Sequence, residues 1–92
     1  RDEGKFLKSK NINLQILLNQ NLDNTIGVGY TATKKIGNAV KRNKAKRIMR
    51  ELARKIIING KINSYYVLIA KTSLLEEKFD KLLLELKGKI NG

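Results

Sequence analysis

The sequence predicts an α+β fold of the α/β-sandwich type. A small mixed sheet is packed by helices in the order strand, strand, helix, strand, helix, as a single domain over residues 1–92. Three observations predict it. Apolar and polar residues alternate along two early segments, as in half-buried strands. Apolar residues recur every three or four positions along two later segments, as in amphipathic helices. A short, nearly all-apolar run lies between those two, as in a central strand.

The elements follow in chain order. The Lys5 to Lys10 region is a candidate for a short leading strand. Ile12, Leu14, Ile16 and Leu18 alternate with Asn11, Asn13, Gln15 and Leu17, giving a strand with one buried face. Asn19 to Asn24 is a turn cluster. Thr25 to Thr33 alternates again, with Ile26, Val28, Tyr30 and Ala32 on one face. Its other face carries Thr25, Gly27, Gly29, Thr31 and Thr33, a small polar surface that a ligand or another element can approach closely. The two alternating segments are expected to pair as a hairpin.

Gly37 breaks the alternation, and Asn38 is a plausible N-cap. A helix is expected from Ala39 to about Ile57. Val40, Ile48, Leu52 and Ile56 lie on its apolar side, flanked by Ala45, Met49 and Ala53. Asn59-Gly60 should end it. Tyr65 to Ala70 (YYVLIA) reads as the central strand. Ser73 and Glu76 form a capping-box pattern before a last helix with Leu75, Phe79, Leu82, Leu83 and Leu86 inward and Gly88 as its stop.

Composition narrows the function. The 92 residues carry 20 Lys and Arg against 8 Asp and Glu, a net charge of +12. A domain of this size hides roughly 60–65% of its unfolded surface, enough for one modest core. There is no cysteine and no histidine. A thiolate nucleophile, a cysteine zinc site and the commonest general base are therefore excluded. No apolar run approaches the ~20 residues that span a bilayer, and no signal peptide is visible. The expected location is the cytoplasm.

The charge is concentrated. Lys34 to Lys55 holds ten cations and one acid, Glu51, a local charge of +9, which leaves +3 for the rest of the chain. Arg42, Lys46, Arg50 and Arg54 recur every four residues on one side of the predicted helix, where like charges repel by a few tenths of a kcal/mol per pair. The last helix differs, mixing Glu76, Glu77, Asp80 and Glu85 with Lys78 and Lys81 as a solvated face does. An unrelieved cationic stripe fits a polyanion. No helix directly precedes the basic one to form a helix-turn-helix, no zipper heptads follow, and only five aromatics are present. Shape and backbone recognition of a folded RNA suits the residues better than DNA readout.

Other patterns carry less. Gly27 to Ala32 (GVGYTA) matches a dinucleotide-binding string, but its glycines alternate within a strand and open no helix. The carboxylates of the last helix read as its solvated side, so no metal is assigned to the protein alone. The basic helix needs its apolar stripe for the sheet, so a membrane partner is not expected.

Lys34 to Glu51 reads KKIGNAVKRNKAKRIMRE, which closely resembles the RNR signature of the bacterial ribonuclease P protein component. Gly29 to Thr33 is similar to the family's preceding strand, and Asn63 to Ala70 to its later central strand. The resemblance runs from about Leu14 to the end. It implies a family order α-β-β-β-α-β-α with a left-handed βαβ crossover, the N-terminal helix falling before this chain begins. It implies that Lys34, Lys35, Asn38, Arg42, Asn43, Lys44, Lys46, Arg47 and Arg50 face RNA, with Arg54 joining them on the stripe. Lys44 stands where the family usually has arginine, keeping the charge without the forked donor. Tyr30, Thr31 and Thr33 are candidate surfaces for a single-stranded 5′ leader.

The function so implied is the protein subunit of a ribonucleoprotein endonuclease, ribonuclease P, that removes the 5′ leader of precursor-tRNA. Its partners are the catalytic ribonuclease P RNA and precursor-tRNA. Mg²⁺ is held mainly by the RNA, no small-molecule cofactor is needed, and no catalytic residue is expected in the protein. The alternative is a small basic structural RNA-binding protein of ribosomal type with no associated reaction.

Overall fold

The computed structural model describes residues 4–18, 20–56 and 62–91. Its elements are β1 (Gly4–Leu7), β2 (Ile12–Leu17), β3 (Ile26–Thr31), α1 (Ala39–Ile56), β4 (Ser64–Ala70) and α2 (Phe79–Asn91). Short 3₁₀ turns at Lys34–Ile36 and Leu74–Glu76 precede the two helices. The candidate leading strand is therefore real, and the strand and helix order follows the expectation.

The four strands form one sheet in the order β1-β2-β4-β3. β1 pairs with β2 and β2 with β4, both antiparallel, while β3 pairs with β4 in parallel. This corrects the expected hairpin of β2 with β3: β4 lies between them. The cause is in β4 itself. It is apolar on nearly every residue, and a strand that sheds water on both faces belongs in the sheet centre with a ladder on each edge. The link after β2 wraps over the start of β4 instead of turning tightly. Asn63, at φ 59°, accepts the N–H groups of Leu22 and Asn24 on its side-chain oxygen at 3.2 and 2.9 Å. Its own N–H donates to the Thr25 carbonyl at 2.6 Å.

Both helices cover one face of the sheet. Ile12, Leu14 and Ile16 of β2 and Tyr66, Leu68 and Ala70 of β4 are buried in one cluster with Ala45, Met49, Leu52, Ala53 and Ile56 of α1 and Leu82 and Leu86 of α2. Asn13, Gln15, Leu17, Tyr65, Val67 and Ile69 point the other way and are only half-buried. The small face of β3 belongs to this second side. It is filled from within the sheet: a Cβ on Gly27 would overlap the Tyr65 ring, and one on Gly29 would stand 2.6 Å from the Tyr65 hydroxyl. Glycine is needed there because an aromatic ring from the neighbouring strand lies flat across it.

Some local expectations need correction. Val40 is 75% exposed rather than part of the apolar stripe, because at 3.6 residues per turn it lies about 120° around α1 from Leu52 and about 20° from Arg47, on the cationic side. Ser73 caps the 3₁₀ turn without a side-chain cap bond and donates instead to the Lys10 carbonyl at 3.2 Å; α2 begins later, at Phe79. Gly88 does not stop α2, which runs to Asn91; an exposed glycine in a helix costs about 1 kcal/mol without breaking it. The expected stop at Asn59-Gly60 lies outside the described residues. Glu85 is not simply a solvated residue. Its carboxylate is half-buried and accepts the Asn11 N–H at 2.8 Å, the Asn11 side-chain amide at 2.9 Å and the Ser9 hydroxyl. It clasps the β1–β2 connection to α2.

Candidate nucleic-acid interface

α1 begins as its sequence directs. The Asn38 side-chain oxygen accepts the Lys41 N–H at 3.0 Å, an N-cap on the third residue of the helix. Gly37 precedes it at φ 138°, a conformation that L-residues rarely adopt. A Cβ there would also meet the Lys41 side chain at 2.6 Å. The turn from Thr33 through Asn38 thus delivers Lys34 and Lys35 to the surface beside the start of the basic helix.

The apolar side of α1 is consumed by the core, so its cations turn outward. Asn43, Lys44, Lys46, Arg47 and Arg50 are exposed, as are Lys34, Lys35 and Asn38. Among the described residues, no carboxylate lies within ion-pair distance of Arg42, Lys46, Arg47 or Arg50. Arg54 differs: its guanidinium meets Glu51 at 2.8 Å, one turn back on the same helix. Arg54 therefore brings less free charge to the stripe than its sequence position promises. Arg42 is half-buried, and its Nη1 donates to the Gly37 carbonyl at 2.9 Å. The face is a band of free cations with two amide side chains, Asn38 and Asn43, that both donate and accept hydrogen bonds.

The three candidate leader-binding residues are not brought together. Tyr30 sits on the helix-covered face of β3, half-buried against the core, whereas Thr31 and Thr33 are exposed. Thr33 joins an open groove that also includes Lys34, Lys35, Asn13, Ile69, Lys71 and Thr72. Asn13, Lys71 and Thr72 were not foreseen. The parallel register, with Thr31 opposite Ile69, carries the residues after β3 and β4 to the same edge of the sheet. A hairpin reading hides this proximity.

Among the described residues, no group of three or more His, Cys, Asp or Glu side chains is placed to hold a metal ion. Likewise, no helix among them is long and apolar enough to cross a membrane. The donor set of the basic face is itself unsuited to Mg²⁺, because its one carboxylate, Glu51, is engaged by Arg54.

A four-stranded mixed sheet, backed by two helices and presenting one of them with exposed cations that carry little carboxylate compensation among the described residues, defines a small α/β protein with one strongly basic helix face. Comparison with known proteins makes the class specific. The family model for ribonuclease P matches residues 2–91, and the chain belongs to that family. The ribonuclease P protein component of Caulobacter vibrioides (strain NA1000 / CB15N) is 44% identical over 66 residues, covering 71% of this chain and 44% of that protein. The one from Ruegeria pomeroyi is 47% identical over 64 residues, covering 67% and 51%. The chain spans about half the length of the curated relatives it matches.

Solved structures agree on the fold. The RNase P protein of Thermotoga maritima superposes with a TM-score of 0.79 at 24% identity, covering 97% of this chain and 83% of that one. The RNase P protein of Staphylococcus aureus superposes with a TM-score of 0.75 at 22% identity, covering 95% and 78%.

Proposed function

We propose that this chain acts as the protein subunit of ribonuclease P, binding the catalytic RNA and precursor-tRNA and assisting removal of the 5′ leader. The observation that carries this reading is the outward face of α1, where Lys46, Arg47 and Arg50 stand exposed with no carboxylate of their own domain against them. Such a face gains free energy by replacing the counterions condensed on RNA phosphates. Asn43 and Lys44 extend it, and Lys34 and Lys35 continue it onto the groove beside Thr33. Thr31 and Thr33 would border the path of the leader.

Chemistry is left to the RNA. The chain has neither histidine nor cysteine. Mg²⁺ would be held by RNA phosphates, where it supplies Lewis-acid activation of water. The protein contributes charge neutralisation and the positioning of two RNA backbones against each other. The reaction places it in the cytoplasm, with tRNA precursors.

The test is reconstitution. Adding the protein to bacterial ribonuclease P RNA at low Mg²⁺ should restore cleavage of precursor-tRNA at the leader junction. Affinity for the RNA should fall with a log–log salt slope of roughly −4 to −5 if about six phosphates are contacted. Tight, salt-dependent RNA binding with no rescue of cleavage would favour a structural RNA-binding protein and overturn the assignment.

A further inference from the structure

Arg42 stands apart from the other cations of its segment. It is half-buried, whereas Lys34, Lys35, Lys41, Lys44, Lys46, Arg47, Arg50, Arg54 and Lys55 are exposed. Its Nη1 reaches back five residues to the Gly37 carbonyl at 2.9 Å. That carbonyl belongs to the residue before the N-cap, so the helix ladder does not use it. Gly37 is also where the turn is locked. Its N–H donates to the Lys34 carbonyl at 3.1 Å, and its φ of 138° sets the angle between the 3₁₀ turn and α1.

We propose that Arg42 is a positioning residue: its guanidinium braces the Lys34–Asn38 turn against α1, so that Lys34 and Lys35 present their charges in fixed register with the helix stripe. This rests on the reading of α1 as an RNA-binding face. A guanidinium suits the task because it is a rigid fork of five donors. One arm holds the carbonyl and the rest stay available to phosphate. An ammonium keeps the charge but has a single nitrogen on a flexible stem, so it loses the brace.

The experiment compares Arg42→Lys, Lys34→Ala/Lys35→Ala and their combination in the full chain, with ribonuclease P RNA as the probe. Arg42→Lys should weaken binding roughly three- to tenfold, the scale of one hydrogen bond. The salt slope should be unchanged, because no charge is lost. The lysine pair should cost at least about twofold less in the Arg42→Lys background than in the native one, a non-additivity expected of coupled residues. In the free protein, amide exchange at Ile36, Gly37 and Asn38 should speed up while the core stays protected. Additive losses, or unchanged exchange in the turn, would overturn the proposal. So would a lower thermal midpoint with the cost of the lysine pair unaltered, which marks a merely structural role. Arg50→Ala separates the two readings: if it leaves RNA affinity untouched, the RNA-binding face fails, whereas the exchange measurement judges the brace without RNA.

Discussion

At the scale of single residues, exposure and partners decide what a charge does. Arg47 and Arg50 are exposed and unpaired by carboxylates among the described residues. Replacing either with alanine is expected to weaken RNA binding and flatten the salt slope by about one unit, with the thermal midpoint nearly unchanged. Titrations across several salt concentrations check this. Arg54, held by Glu51, is expected to contribute less than either. Gly27 is a residue-scale constraint of another kind. Gly27→Val would push its side chain into the Tyr65 ring, and the overpacking should cost about 1–3 kcal/mol in urea unfolding. The motif residues were legible in the sequence as a run of cations. The ion pair of Arg54 was not, because it depends on rotamers that spacing does not specify, whereas the half-burial of Arg42 follows from its angle, about 20° from each of the buried Met49 and Ala53.

At the scale of the element, α1 is two surfaces on one cylinder. Leu52 is 0% exposed among core side chains, while Val40 is 75% exposed. Leu52→Ala should therefore destabilise the fold by about 2–5 kcal/mol, and Val40→Ala should be close to neutral. Chemical denaturation of the two variants checks the contrast. Both residues read as apolar-stripe positions in the sequence. The period itself separates them: at 3.6 residues per turn Val40 lies about 120° from Leu52, so grouping the two on one side misreads the angle and is not a limit of the sequence. The helix start was more legible, since Asn38 caps through a contact three residues away. The start of α2 was less so: the Ser73–Glu76 pattern was spent on a separate 3₁₀ turn.

At the scale of the whole molecule, a chain of net charge +12 must hold distant segments together against self-repulsion. The Glu85 clasp is one device that does so. Burial raises its carboxyl pKa, but hydrogen bonds from the Asn11 N–H, the Ser9 hydroxyl, the Asn11 side chain and the Ile12 N–H outweigh this, and the net shift is downward from 4.5. Glu77 is shifted the same way, first by the Lys78 N–H and then, against burial, by Asn11, Lys10 and Lys81. A carboxyl with a depressed folded pKa lends stability above its unfolded pKa and loses it as pH falls through the folded value. Stability should therefore drop on acidification below the ordinary glutamate range, and Glu85→Gln should reduce that drop. Urea unfolding at about pH 7 and about pH 3 measures both.

The sequence by itself determined the element types, the inward side chains of β2, β4 and α1, the N-cap at Asn38 and the family signature from Lys34 to Glu51. Each is written in neighbours a few residues apart, where backbone period and capping chemistry act. Only the tertiary structure decided that β4 parts β2 from β3, that Tyr65 occupies the glycine face, that Glu85 anchors the β1–β2 connection, and that Lys71 joins Lys34 at one groove. Those are contacts between residues tens of positions apart. They follow from which strand can shed water on both faces, a competition among all the segments at once that no local spacing encodes.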